Sequence, residues 1–196
     1  MERKERAVIV LHEIYGINQH IKSVCEHYLA AGYDVLCPNF GDSEEYFDYS
    51  REEEAYQYFV DYIGFSSVTC EVKKILLQAQ RDYKQVFLIG FSVGATAAWI
   101  CSGLGSSVDG VICYYGSRIR DFLNIIPKCP VLLICAKEEK SFIVSDLTSA
   151  LERREYVRIH VLNGKHGFCD PFCKAYNEQS ARIAQDLVDK FLENTH

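Results

Sequence analysis

Residues 87–96 read FLIGFSVGAT. Together with Val86, four unbroken apolar residues run straight into Gly90-Phe91-Ser92-Val93-Gly94, and a small-residue apolar stretch, Ala95–Cys101, follows. An apolar run without alternation fits a strand covered on both faces, and the stretch behind it fits a helix. Such a direct passage from buried strand to helix commits the surrounding chain to an α/β arrangement. The turn is too tight for large flanking side chains, so glycines fill those places and the serine is held up from the sheet. The start of the helix behind it favours developing negative charge. Ser92 therefore reads as a nucleophile rather than as a structural turn serine.

The rest of the chain repeats the theme. Ala7–Leu11, Val35–Cys37, Val111–Tyr115 and Val131–Cys135 are further short apolar runs. Val157–Leu162 alternates with Arg158 and His160, as an edge strand does. Helical spacing marks Asn18–Ala31, which stops at Gly32, a stretch from about Ser66 to Ala79, and the stripe Ile183, Ala184, Leu187, Val188, Phe191, Leu192. Short strands alternating with helices predict a mostly parallel sheet with helices on both faces. No repeat or linker divides residues 1–196, so a single domain is expected. Residues 41–65, GDSEEYFDYSREEEAYQYFVDYIGF, break the rhythm with acids and aromatics. They are too long for a simple loop and read either as a solvated acidic loop entering an amphipathic helix or as a cover over a site.

Composition narrows the function. A net charge of −6 offers no basic stripe for nucleic acid. The first apolar run is too short for a signal-peptide core, and no run approaches membrane-spanning length, so a cytoplasmic location without membrane or nucleic-acid partners is expected. The nine cysteines include no Cys-x-x-Cys pair, and Cys37, Cys101, Cys113, Cys129 and Cys135 sit in or beside apolar runs as reduced thiols would. His166, Cys169 and Cys173 come nearest to metal spacing but lack a fourth ligand, so neither metal nor cofactor is expected.

A nucleophilic serine needs a base, and the base an orienting acid. His20 and His27 lie on the first helix, His160 within a strand, His196 at the end, and His12 after the first strand. His166 lies in NGKHGF, a glycine-flanked loop after the last strand, and is the candidate base. In the chain order nucleophile, acid, base, the acid follows Val131–Cys135. Glu138 is the better-placed carboxylate there; Glu139 comes next, and Asp146 and Asp170 are fallbacks. The oxyanion donors are expected to be the amides of Val93 and of Ile14, in the loop after the first strand.

On HEIYGIN (12–18), YDVLCPNF (33–40), GFSVGA (90–95) and KHGFCDP (165–171), the chain resembles the dienelactone hydrolase family of the α/β-hydrolase superfamily. The resemblance implies a compact α/β-hydrolase core with a small cap or none. It implies carboxylesterase or lactonase activity through an acyl-enzyme. It carries Ser92, Glu138 and His166 onto the triad, Val93 and Ile14 onto the oxyanion hole, and Glu13 and Tyr56 onto positions beside the nucleophile and the substrate. Three departures stand out. Ser92 replaces a cysteine, Glu138 replaces an aspartate, and the family's carboxylate-binding arginines are absent near Glu52 and Asp170, with Arg51 one residue off. Residues 42–54 set seven acids against that arginine. A neutral, partly aromatic or apolar ester or lactone is the expected substrate, and monomer and homodimer are both open. An acyltransferase with the same triad and a non-catalytic binding domain are the alternatives.

Overall fold

The computed structural model describes residues 3–41, 47–105 and 108–195. Asp42, Glu44, Glu45, Tyr46 and His196 therefore lie outside the described residues. Six strands, β1 (Lys4–Leu11), β2 (Asp34–Leu36), β3 (Tyr83–Phe91), β4 (Gly110–Tyr114), β5 (Val131–Glu138) and β6 (Val157–Lys165), form one sheet in the order β2-β1-β3-β4-β5-β6. Every neighbouring pair is parallel. This is the expected α/β-hydrolase class of fold, and the alternating strand β6 does lie at an edge.

The apolar runs have no period because both of their faces are buried. Ala7, Ile9 and Leu11 of β1 belong to one core layer, and Val8 and Val10 to the other. The first layer is closed by α3 (Gly64–Asp82), α4 (Val93–Ser102) and α5 (Val144–Leu151). The second is closed by α1 (Gln19–Ala30) and α6 (Glu178–Asn194). Asn18 caps α1 by accepting from the Ile21 amide at 3.1 Å, and Asn177 caps α6 by accepting from the Ser180 amide at 3.0 Å. Helix α4 is buried nearly all round, which explains its small residues. Trp99, fully buried, satisfies its indole by donating to the Phe122 carbonyl at 2.9 Å.

Two features escape the sequence patterns. Helix α5 lies beyond β5, and a short 3-10 segment, Ser117–Phe122, follows β4. The long stretch before α3 is also more structured than a loop. Helix α2 (Glu52–Tyr58) runs into a π turn, Phe59–Ile63, before Gly64 opens α3. All nine cysteines are free thiols.

Candidate active site

The site is built at the carboxyl ends of the strands, where an open parallel sheet receives its ligands. Strand β3 delivers Ser92 through a backbone with φ 52° and ψ −112°, a conformation that side-chain-bearing residues rarely adopt. The turn is pinned by the Ser92 amide, which donates to the Tyr114 carbonyl at 3.0 Å. A Cβ on Gly90 would overlap the backbone of Gly94, and one on Gly94 would overlap the Leu11 and His12 carbonyls. The glycine frame is thus a contact requirement, since the serine turn is pressed directly onto the end of β1.

His166 follows β6 and meets the serine. Its Nε2 lies 2.9 Å from Ser92 Oγ. Its Nδ1 lies 3.0 Å from both Glu139 Oε1 and Oε2. Glu139, and not the expected Glu138, is therefore the carboxylate on the imidazole. The reason is the length of β5. It pairs with β6 as far as Glu138, opposite Lys165, through an irregularity between Ala136 and Glu138. That extension leaves Glu138 exposed on the strand, and the chain turns inward one residue later. The Glu139 side chain is only 5% exposed. Burial pulls the His166 pKa down, but the hydrogen bond and charge of Glu139, helped by Glu13 and Glu52, outweigh it, and the net shift is upward. The fallback Asp146 sits in the first turn of α5.

The loop after β1 faces the same turn. His12 is buried, and burial lowers its pKa to about 4, so it stays neutral. Its Nε2 accepts from the Phe40 amide at 3.0 Å, which leaves Nδ1–H to donate to the Glu13 carbonyl at 2.6 Å. This neutral histidine braces the segment carrying Glu13 and Ile14. Of the two residues expected to supply oxyanion amides, Val93 directly follows Ser92 as the buried first residue of α4, and Ile14 is half-buried against the same core layer. Tyr115, with a positive φ of 40°, packs its ring 5.0 Å from that of His166. Sequence reasoning passed over Tyr115; the available signal was its place between β4 and Gly116.

Glu13 is 5% exposed, and among the described residues its Oε1 has no hydrogen-bond partner. Burial pushes its pKa up from 4.5 to about 7; Asp170 adds to the rise, while His166 and the nearby Tyr115 phenol oppose it. A carboxyl whose folded pKa is raised binds its proton more tightly in the native state. Its contribution to stability is complete below about pH 4.5 and is lost as pH rises through about 7. Glu13→Gln, permanently neutral, is expected to match the parent in urea unfolding at about pH 4. At about pH 9 it should exceed the parent by about 3 kcal/mol. An equal difference at both pH values would contradict the buried, proton-holding state.

The insertion lies across this edge. The Phe47 amide donates to the Tyr15 carbonyl at 3.0 Å, in the loop after β1. Arg118, after β4, donates to Tyr56 Oη at 2.6 Å. Lys140, after β5, stands 3.9 Å from Glu52. Tyr56 is thus a partner of Arg118 at the mouth of the site. Asp170, by contrast, is fully buried and does not line that mouth. Among the described residues no three His, Cys, Asp or Glu side chains converge as metal ligands, and no helix is long and apolar enough to cross a membrane.

The model of the dienelactone hydrolase family matches residues 1–196. This chain belongs to the dienelactone hydrolase family. Protein YczH of Bacillus subtilis (strain 168), itself uncharacterized, is 38% identical over 172 residues, 87% of this chain and 84% of its own length. A Yersinia pestis protein with the provisional name carboxymethylenebutenolidase is 27% identical over 131 residues. That match takes in 63% of this chain and 48% of the relative, so this family member aligns with about half of that protein. Among solved structures, a provisionally named dienelactone hydrolase from Klebsiella pneumoniae superposes with a TM-score of 0.83 at 20% identity, covering 99% of this chain and 89% of that one. The dienelactone hydrolase-like promiscuous phosphotriesterase P91 gives 0.78 at 17% identity, covering 100% and 88%. At these identities the superpositions speak for a shared fold, and membership of the family makes the chain a hydrolase.

Proposed function

We propose that this hydrolase cleaves small neutral carboxylic esters or lactones through an acyl-enzyme on Ser92. The observation that carries the reading is the unbroken line of contacts from Ser92 Oγ to His166 Nε2, at 2.9 Å, and from His166 Nδ1 to Glu139, at 3.0 Å. Those are distances at which a proton can pass and an imidazole can be held in one tautomer. His166 takes the serine proton as Oγ bonds to the substrate carbonyl carbon. Glu139 accepts from Nδ1–H and stabilises the imidazolium that forms. The Val93 and Ile14 amides receive the oxyanion. The intermediate collapses and His166 gives its proton to the leaving oxygen, which departs as an alcohol from an ester and stays on the acyl chain as a hydroxyl from a lactone. Water, deprotonated by His166, then attacks the acyl carbon and releases the acid with Ser92 restored. The direct test is mass spectrometry of the protein after a slow-turnover p-nitrophenyl ester. An acyl adduct confined to the peptide containing Ser92 supports the mechanism, and an adduct elsewhere or none refutes it.

The preference for a neutral acyl group follows from the charges at the mouth. Arg51, the arginine nearest the family's missing position, contacts Glu54 at 2.8 and 2.5 Å. Arg118 is engaged by Tyr56 and by Asp121. An anionic substrate would have to displace one of these pairs and approach Glu52, whose charge already acts on His166. A charge-assisted hydrogen bond is worth about 1.5–3 kcal/mol, so its loss costs roughly tenfold or more. The kcat/KM of a neutral ester is expected to exceed that of its isosteric carboxylate-bearing analogue by about tenfold. A preference for the anion that disappears in Arg51→Ala would reverse this assignment.

A further inference from the structure

Asp170 has surroundings that its place in a surface loop does not explain. Its side chain is fully buried. One oxygen accepts from the Phe172 amide at 2.8 Å, a local turn contact that an exposed aspartate could equally make. The other accepts a short hydrogen bond from the hydroxyl of Tyr49, 121 residues away in the chain. Among the described residues, the basic group beside it is His20, whose Nδ1 stands 3.9 Å off and whose pKa burial lowers. A buried carboxylate held by neutral donors is costly to keep. Burial, and then the bond to Asp170, raise the Tyr49 pKa, so this phenol remains a donor.

Tyr49 belongs to the insertion, just ahead of α2. Its oxygen also accepts from Asn18 Nδ2 at 3.0 Å, and its ring packs against Tyr15 at 4.8 Å. Asp170 belongs to the loop of the base. Its own amide donates to the Gly167 carbonyl at 3.0 Å, one residue from His166, and the Phe168 amide donates back to the Lys165 carbonyl at 3.0 Å. A short path of hydrogen bonds and peptide links therefore joins the insertion to the segment that carries His166. Of the insertion's other ties, the Phe47 amide bonds to the Tyr15 carbonyl, Tyr56, itself exposed, meets the half-buried Arg118, and Glu52 to Lys140 joins two exposed side chains. Phe59 seats the insertion's later part in the core, and the Tyr49 tie adds a hydrogen bond to a buried carboxylate in the loop of His166.

We propose that Tyr49 and Asp170 are a positioning pair, whose hydrogen bond makes the seating of the insertion over Ser92 and the placing of His166 a single event. The pair touches no reacting atom and acts through the base. This rests on the serine-hydrolase reading above, so the experiment has one arm that needs no chemistry. Hydrogen exchange is measured on the full chain for the parent, Tyr49→Phe, Asp170→Asn and the double variant. In parallel, acylation-type labelling is followed with a fluorophosphonate. Ser92 Oγ bonds to phosphorus, fluoride leaves, and His166 takes the serine proton.

Tyr49→Phe keeps the ring against Tyr15 and removes only the hydroxyl. It is expected to speed exchange by about tenfold in residues 47–56 and also in 166–173, while the central strands stay protected. Labelling should slow by about tenfold to a hundredfold, the range a small misplacement of a reacting group produces. The double variant should lose no more than the worse single variant, as two halves of one contact do. Faster exchange confined to the insertion, with labelling at the parental rate, overturns the proposal. A uniform rise across the whole sheet also overturns it, because that marks a loss of global stability. If the parent is not labelled at Ser92, the serine-hydrolase reading fails. The exchange arm then still decides whether the two segments move together.

Discussion

Ser92→Ala is expected to lower the turnover of a p-nitrophenyl ester by about a millionfold while leaving the melting temperature within a few degrees of the parent. The loss corresponds to roughly 8 kcal/mol of transition-state stabilisation. It is large because Ser92 Oγ is the atom His166 Nε2 faces, at 2.9 Å, and alanine offers nothing in its place. The fold has no need of that oxygen. Its turn is fixed by the backbone bond to Tyr114 and by the contact of Gly94 with the end of β1. What activity survives should come from the amides around the oxyanion and from binding alone. A folded Ser92→Ala protein with near-normal turnover would refute the acyl-enzyme mechanism.

The second large effect separates two neighbouring glutamates. Glu139→Ala is expected to reduce kcat by about ten-thousandfold, and Glu138→Ala by less than about twofold. Glu139 holds Nδ1 of His166 with both oxygens at 3.0 Å, so its removal frees the ring to rotate and to take the wrong tautomer. The acid limb of the rate profile should move with it. Glu139 is the main influence raising the His166 pKa, so its loss lets burial pull that pKa down and shifts the limb to lower pH. Glu138 is exposed on β5 and should change neither quantity. The measurement is kcat against pH for the parent and both variants. Equal losses, or a larger loss at Glu138, would contradict the assignment.

The difference between these glutamates shows where sequence reading stops. Runs such as Ala7–Leu11 and Val86–Ile89 are legible because burial on both faces leaves its mark in every residue. Gly90 and Gly94 are legible because each sits where a Cβ would strike backbone. The acid is different. Whether strand β5 ends at Cys135 or at Glu138 depends on its irregular pairing with β6, whose contacting residues lie more than twenty positions away. Nothing in Ala136-Lys137-Glu138-Glu139 records that. Helix α5 was obscured by its shortness, VSDLTSAL giving barely two turns of periodicity. The bond from Tyr49 to Asp170 left no local trace, and the buried aspartate read instead as a fallback acid near a missing arginine.

The positive φ of Ser92 has a consequence for anyone who evolves this enzyme in the laboratory. A side chain held in that backbone conformation stores about 1–3 kcal/mol of strain, and glycine is the residue that would release most of it. A library screened only for resistance to heat is therefore expected to enrich Ser92→Gly, a sturdier protein without the hydroxyl that faces His166. Thermal selection and catalytic selection pull in opposite directions at this one codon. Directed evolution of the scaffold has to alternate the two screens or hold residue 92 fixed.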